Sequence, residues 1–372
     1  MEYRVLGTTG LKTGVIGLGT EYLNGRPREK VAAVIPRAIE SGVNYFDVVF
    51  AFPEYRDNLA VAFKGSRKRI LICGHICCAI SRSGHYRLSR DVKENDRLFH
   101  DLLKRLKTDH VDIVMIQMVN ELTSFENIAR PGGIVDLANR LKKQGKARFI
   151  GISGHKVPAI ARTVQECAID VVMFPVNIAW DLTPGRKEIY EICGRRKIGL
   201  VGMKIFGGGR VLRRSGKDPV TPVQCVAYAL RQKGVATVVP GVRNLGELDA
   251  ALEYFDAPAK ARAFKGVIKE SQEELKGNCV YCNHCLPCPL NIDIGRVIGH
   301  LDRIQAGKKA PQLRDRTNYY NPGRLRLARN INFKGLSGRA EKCTECGACV
   351  KRCPFGVDII GKMRQAAALQ NS

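Results

Sequence analysis

Residues 111–177 read VDIVMIQMVNELTSFENIARPGGIVDLANRLKKQGKARFIGISGHKVPAIARTVQECAIDVVMFPVN. Three short apolar, β-prone runs stand out, Val111–Gln117, Phe149–His155 and Val171–Asn177, and amphipathic stretches separate them. That alternation is the βα rhythm of a sheet whose strands are joined by helices. Working outward, the same rhythm gives candidate strands at Val15–Thr20, Asn44–Val49, Arg69–Ile76, Gly199–Phe206 and Thr237–Val242. The helices between them show the 3.6 period: Val31, Val34, Ile35, Ala38 and Ile39 share one face, as do Leu98, Phe99, Leu102, Leu103 and Leu106. Periodicity alone cannot separate a closed barrel from an open doubly wound sheet. Eight units at a repeat of about 30 residues favour an α/β chain built on a (β/α)8 TIM barrel. Tyr3–Gly7 and Leu11–Gly14 flank a Thr-Gly turn, which predicts a small hairpin closing the bottom of that barrel.

Near Ala257 the rhythm stops, and a charged stretch, Lys260–Lys276, leads into two cysteine runs. The expected domains are therefore a barrel over 1–258 and a small C-terminal domain over 259–372. The chain holds 14 cysteines. MEYRVLG at the N-terminus lacks the basic-then-apolar order of a signal peptide, and no apolar run is long enough to span a bilayer. Both features place the protein in the cytoplasm. In a reducing compartment, clustered thiols point to metal ligation rather than to a disulfide framework.

The first run is Cys279-x2-Cys282-x2-Cys285-x2-Cys288-Pro289, and the second is Cys343-x2-Cys346-x2-Cys349-x3-Cys353-Pro354. The second has the bacterial ferredoxin spacing, in which three thiolates from one tight loop reach three corners of a 4Fe-4S cube. Two 4Fe-4S clusters are the simplest reading. In two-cluster ferredoxins the fourth cysteine of each run serves the other cluster, so Cys288 is expected to cross to the second cube and Cys353 to the first. The shorter gap before Cys288 leaves an uncrossed arrangement open. Structural zinc is the rival, but zinc sites usually pair two cysteines from each of two separated knuckles.

The formal net charge is +26. Between Leu301 and Ala340, ten basic residues face two acidic ones in a Gly-, Pro- and Asn-rich connector. Such a field captures acidic partners, so an electron carrier such as a ferredoxin or flavodoxin is expected to dock near Lys308–Arg339. No nucleic-acid-binding motif is present, and the charge is spread over both domains.

With the eightfold pattern and the cysteine tail in place, the chain resembles the aldo/keto reductase family, specifically its members with a fused ferredoxin-type tail. Tyr3-Arg4-Val5-Leu6-Gly7-x2-Gly10-Leu11 resembles the family's opening hairpin, and Asn44-Tyr45-Phe46-Asp47 its second strand. Gly151-Ile152-Ser153-Gly154-His155 resembles the fifth-strand nicotinamide motif, Met203-Lys204-Ile205-Phe206-Gly207-Gly208-Gly209 the seventh-strand loop, and Val239-Pro240-Gly241 the end of the eighth strand. The resemblance implies carbonyl reduction with NADPH through a tetrad of Asp, Tyr, Lys and His. Here only Asp47 matches: the Tyr position is Phe52, the Lys position His75 and the His position Gln117. Phenylalanine has no proton to give. Tyr55 would replace it only in a rebuilt loop, and His75 is either a general acid or a hydrogen-bonded filler of the barrel mouth.

By the same resemblance Ser153 and Asn177 would contact the nicotinamide amide, Gly207, Gly208 and Gly209 would admit the pyrophosphate, and Arg243 would pair with a 2′-phosphate. Ala251 and Gly154 stand where the family often has Asn, which thins that NADPH site.

Cys73, His75, Cys77 and Cys78 form a further constellation. Residues 73, 75 and 77 of a strand share a face, directed by the resemblance into the barrel mouth, where they would make a metal site, a reactive thiol or plain small-hydrophobe packing. Cys167, Cys193 and Cys225 read as core.

Three function classes follow. The first is an iron-sulfur oxidoreductase passing single electrons to or from a small-molecule substrate at the barrel mouth. The second is an NADPH-dependent aldo/keto reductase, and the third a non-enzymatic electron-transfer protein with an inactive barrel.

Overall fold

The computed structural model describes residues 1–80, 86–207, 211–213, 220–268, 277–279, 285, 288–290, 292–305, 340–353 and 355–369. They form two compact units, one of Met1–Ile178 with Gly185–Phe264, the other of Ala179–Pro184 with the described residues from Lys265 onward.

The first unit is a (β/α)8 barrel. Its strands in chain order are β1 (Tyr3–Val5), β2 (Lys12–Gly14), β3 (Leu18–Gly19), β4 (Tyr45–Val48), β5 (Leu71–Ile76), β6 (Cys78–Ile80), β7 (Tyr86–Leu88), β8 (Val111–Ile116), β9 (Ala147–Ser153), β10 (Val171–Pro175), β11 (Gly199–Met203) and β12 (Val235–Val239). Eight of them pair in the order β3-β4-β5-β8-β9-β10-β11-β12. The ring closes because Gly17 N donates to Val238 O at 2.8 Å, Val238 N to Val15 O at 2.9 Å and Gly19 N to Pro240 O at 3.0 Å.

Strand alternation divides the apolar residues into two layers. Tyr45, Cys73, Ile113, Met115, Val171, Met173 and Val201 fill the barrel interior together with Leu6 and Leu11 of the β1–β2 hairpin, which plugs its bottom. Gly7 makes that plug possible: it has φ +57°, and a Cβ there would lie 2.2 Å from Gly199 N. The outer layer lies between strands and helices. Helix Val92–Leu106 buries Phe99, Leu102, Leu103 and Leu106, and it reaches β5 because Gly74 has no side chain; a Cβ there would meet Leu102 Cδ2 at 2.6 Å. Asp91 caps the helix by accepting from Glu94 N at 2.6 Å.

One element departs from the expected pattern. After β5, Cys77 takes φ +71°, and the chain enters an antiparallel hairpin, β6–β7, paired Cys78↔Leu88 to Ile80↔Tyr86.

The second unit contains a sequence repeat. Cys288-Pro289-Leu290-Asn291-Ile292-Asp293-Ile294 and Cys353-Pro354-Phe355-Gly356-Val357-Asp358-Ile359 each lead into a helix, Ile294–Gln305 and Ile359–Ala368. Asp358 caps its helix by accepting from Gly361 N at 2.9 Å. Ile292, Ile294, Val297 and Ile298 pack with their counterparts Val357, Ile359 and Met363 around Cys285 and Phe355. The two halves are tied by Gly277 N to Phe355 O at 2.6 Å, Arg352 Nη2 to Cys285 O at 2.8 Å and the Lys362–Asp302 ion pair at 2.6 Å. No helix among the described residues is long and apolar enough to cross a membrane. The connector expected to receive a carrier, Lys308–Arg339, lies outside the described residues.

Candidate functional site

In the second unit, a small cavity is lined by Cys288 together with Cys343, Cys346 and Cys349. Three of these thiols belong to the second run and one to the first. The loop that carries the three turns through two left-handed residues, Glu345 at φ +56° and Gly347 at φ +73°. Glu345 is held there by a two-point contact with the Arg364 guanidinium. Cys279, Cys288, Cys343, Cys349 and Cys353 all pack on the small core that contains Cys285, while Cys282 lies outside the described residues. Four soft thiol donors on one cavity wall, none of them in a disulfide, are a donor set suited to a 4Fe-4S cube.

In the barrel, β4 and β5 pair in parallel with Asp47 opposite Cys73, and His75 follows two residues on, on the same inward face. These lie towards the C-terminal ends of the strands, where TIM-barrel sites are built. His75 Nε2 is 2.7 Å from Asp47 Oδ1, and one donor atom from each of Asp47, Cys73 and His75 lies within 4.8 Å of the others. All three side chains are buried. An ionised carboxylate only accepts, so Nε2 carries the proton of that bond. His75 Nδ1 is buried without a hydrogen-bond partner, and the buried Tyr45 hydroxyl has the Cys73 thiol as its neighbour. Burial, then the charge of Asp47, pushes the Cys73 thiol well above its usual pKa.

Cys77 and Cys78 do not join this face. The left-handed turn at Cys77 ends the alternation, and both thiols enter the outer apolar layer. Burial pushes Cys78, Cys193 and Cys225 up to about 12, as expected of core cysteines.

Phe52 and Tyr55 follow β4, Phe52 at the N-cap and Tyr55 in the first turn of helix Pro53–Ala62. That turn is anchored by Arg56, whose buried guanidinium donates to Phe50 O at 3.0 Å, Leu98 O at 2.8 Å and the Asp101 carboxylate at 2.8 Å. Tyr55 Oη lies 2.5 Å from Thr20 Oγ1 and accepts from Val49 N at 3.2 Å. Thr20 gives its own proton to Asp47 O at 2.7 Å, so the Tyr55 proton is the one shared with Thr20. Burial raises the Tyr55 hydroxyl further. Phe50 packs edge-on against Phe52, Tyr55 and Tyr86, and Gln117 Nε2 donates to Tyr86 Oη at 3.3 Å. Tyr86 comes from the β6–β7 hairpin and was not singled out in the sequence.

On the opposite side of the ring, Ser153 Oγ accepts from Met118 N at 3.3 Å, and Asn177 Nδ2 donates to Lys204 O at 3.1 Å. Gly207 has φ +56°, as a tight loop requires; Gly208 and Gly209 lie outside the described residues. Arg243 Nε and its backbone N bind Glu247 at 2.7 Å and 2.8 Å. Gly154 is sterically fixed, since a Cβ would lie 2.3 Å from Val119 O.

A polar chain that sequence reasoning missed runs through the same end. Lys204 Nζ donates to His155 Nε2 at 2.9 Å, and His155 Nδ1 donates to Asn120 Oδ1 at 3.1 Å. Burial, then Lys204 and Arg186, hold His155 well below its usual pKa, which keeps the imidazole neutral. Both residues stood in quoted motifs, where only the glycines and Ser153 had been given roles.

The profile of the aldo/keto reductase family matches residues 13–224, more than half of the chain. The chain belongs to the aldo/keto reductase family. A second profile, the 4Fe-4S dicluster domain, matches residues 278–358, so this family member carries an iron-sulfur domain behind its barrel. It is similar to an uncharacterized oxidoreductase, YqkF, of Bacillus subtilis, 27% identical over 73% of this chain and 89% of that protein. It is also similar to L-galactose dehydrogenase of Arabidopsis thaliana, 28% identical over 41% of this chain, and there it spans about half (49%) of the relative's length. The holo form of aldo-keto reductase AKR11C1 from Bacillus halodurans superposes with a TM-score of 0.62 at 20% identity, covering 73% of this chain and 96% of that one. At that identity the likeness speaks for the barrel fold.

Proposed function

We propose that this aldo/keto reductase family member is a cytoplasmic iron-sulfur oxidoreductase that exchanges single electrons with an acidic carrier and uses them on a small molecule at the barrel mouth. The observation that carries the reading is the Asp47–His75 pair at 2.7 Å, standing where the family's tetrad would be and with Phe52 in the tyrosine position. A family member that has lost the phenolic acid of the hydride mechanism but has gained a dicluster domain fits one-electron chemistry better than direct hydride reduction.

Two 4Fe-4S clusters would be held by Cys279, Cys282, Cys285 and Cys353, and by Cys288, Cys343, Cys346 and Cys349; the cavity shared by the last four supports the crossed assignment. When bound, such clusters supply low-potential one-electron transfer.

The chain's own residues then handle the proton and the substrate. Asp47 stabilises an imidazolium through Nε2–H, and His75 Nδ1–H, which meets no protein acceptor, is the proton offered at the mouth. Tyr55 is given no donor role, because its proton is committed to Thr20; it braces β4 instead. Phe50 packs edge-on against Phe52 and Tyr86, an aromatic cluster on the segments that follow the two strands.

NADPH is the second reading, supported by the buried Ser153 and Asn177 at the ends of β9 and β10, where the family binds nicotinamide. The Arg243–Glu247 pairing weighs against a 2′-phosphate site. Anaerobic titration of reconstituted protein with NADPH and separately with dithionite, followed by absorbance and EPR, decides between them. Bleaching by dithionite but not NADPH is the expected result. Bleaching by NADPH would establish a nucleotide route, and no substrate-dependent reoxidation at all would leave an electron-transfer protein with an inactive barrel.

A further inference from the structure

We infer that Asp47, Cys73 and His75 form a mononuclear site for a divalent transition metal of the zinc type inside the barrel mouth, distinct from the cysteine tail. The three donors are a carboxylate, a thiol and an imidazole. That mixture suits Zn²⁺ or Co²⁺, whereas Mg²⁺ and Ca²⁺ take all-oxygen shells. Three protein ligands with a fourth position left over is the pattern of catalytic rather than structural zinc.

The geometry is set by the sheet. Asp47 and Cys73 are cross-strand partners on β4 and β5, and His75 follows on the same face, so backbone pairing fixes all three Cα positions. Their donor atoms already lie within 4.8 Å of one another. A tetrahedral ion with ligands at about 2.0 to 2.3 Å separates its donors by roughly 3.3 to 3.8 Å. The 2.7 Å Asp47–His75 contact has to open by about half an ångström, and any Cys73 separation near the 4.8 Å limit has to close by about one, both within the range of side-chain torsions.

A second observation points the same way. His75 Nδ1 is buried without a hydrogen-bond partner, and the buried Tyr45 hydroxyl has the Cys73 thiol as its neighbour. A neutral thiol is a weak acceptor, but a metal-bound thiolate accepts well, so a metal strengthens the Tyr45–Cys73 contact into an outer-sphere bond of the kind that orients ligands. With Nε2 on the metal, the proton of His75 resides on Nδ1, which stays a hydrogen-bond donor, while the imidazolium proposed above belongs to the metal-free site. Cys77 and Cys78 face the helices and are excluded as ligands.

The inference uses the same side chains as the proposed function but does not depend on turnover, so its test is a binding and ligand-shell measurement. Protein with its iron-sulfur clusters reconstituted is loaded anaerobically with one equivalent of Zn²⁺ and examined at the zinc X-ray absorption edge, with iron counted separately. The expected shell is one sulfur at about 2.3 Å and nitrogen or oxygen at about 2.0 to 2.2 Å. Cys73→Ser should abolish the sulfur contribution and weaken Zn²⁺ retention at least about tenfold, with iron content unchanged. His75→Gln, a second variant with an intact thiol, should keep the sulfur and lose affinity to a similar degree. A shell of several sulfurs, a sulfur that survives Cys73→Ser, or no retained Zn²⁺ in the unmodified protein would each overturn the site. None of those results bears on whether dithionite or NADPH reduces the clusters, so the two proposals fail separately.

Discussion

His75 Nε2 stands 2.7 Å from Asp47 Oδ1, two neighbouring strands delivering both groups to one buried spot. Because Asp47 can only accept, it pins the imidazole with Nε2 protonated and leaves Nδ1 as the working nitrogen. His75→Gln should therefore slow substrate-dependent reoxidation of dithionite-reduced protein by about 10²- to 10⁴-fold, the span of positioned acid catalysis. Iron content and the EPR of the reduced clusters should not change. Equal reoxidation rates in the variant and the parent would remove His75 from the mechanism.

The cavity that unites Cys288 with Cys343, Cys346 and Cys349 makes a prediction about which thiols fail together. Cys288→Ser and Cys346→Ser should perturb the same cluster signal, and Cys353→Ser and Cys279→Ser the other. In an uncrossed arrangement Cys288→Ser would instead pair with Cys279→Ser. EPR of each variant after identical reconstitution reads the pairing directly.

How much of this could be read from residues alone differs by element. All eight barrel strands followed from apolar periodicity, because continuous burial leaves a compositional mark, and the bottom hairpin followed from its Thr-Gly turn. The β6–β7 hairpin did not, because it begins with a left-handed φ at Cys77, a non-glycine residue that gives no turn signal. The same turn removed Cys77 from the face it was expected to share with Cys73 and His75. Asp47 and His75 were legible through resemblance, but their pairing was not, since strand neighbours depend on register. Lys204 and His155, 49 positions apart, likewise meet only once the ring has closed. Gly154 could be seen as a departure from the family; that Val119 O forbids any side chain there could not.

The excess of basic residues between Leu301 and Ala340 predicts salt-sensitive reduction by an acidic carrier. Exposed charges are screened over about 10 Å at 0.1 M ionic strength, so the second-order rate with reduced ferredoxin or flavodoxin should fall steeply as salt rises. Reversing Lys308 and Lys309 to Glu should lower that rate several-fold while reduction by dithionite, which needs no docking, stays the same. A rate indifferent to salt would rule out electrostatic docking.

His155 supplies a prediction about pH and stability. Its folded pKa lies below the ordinary value of about 6.5, first because it is desolvated and then because Lys204 and Arg186 are cationic neighbours. Between those two pKa values the unfolded chain binds the proton and the folded one does not, so unfolding free energy rises with pH there. The contribution is complete above about pH 6.5 and is lost as pH falls towards the folded pKa, at no more than about 1.4 kcal/mol per pH unit. His155→Gln keeps an acceptor for Lys204 and a donor for Asn120 but cannot titrate. Denaturant midpoints of the two proteins, compared from about pH 7.5 down to 5.5, should therefore diverge only on the acid side, with the parent falling faster. Parallel acid limbs would mean that His155 is already protonated in the fold, and the hydrogen bond it accepts from Lys204 could not then exist.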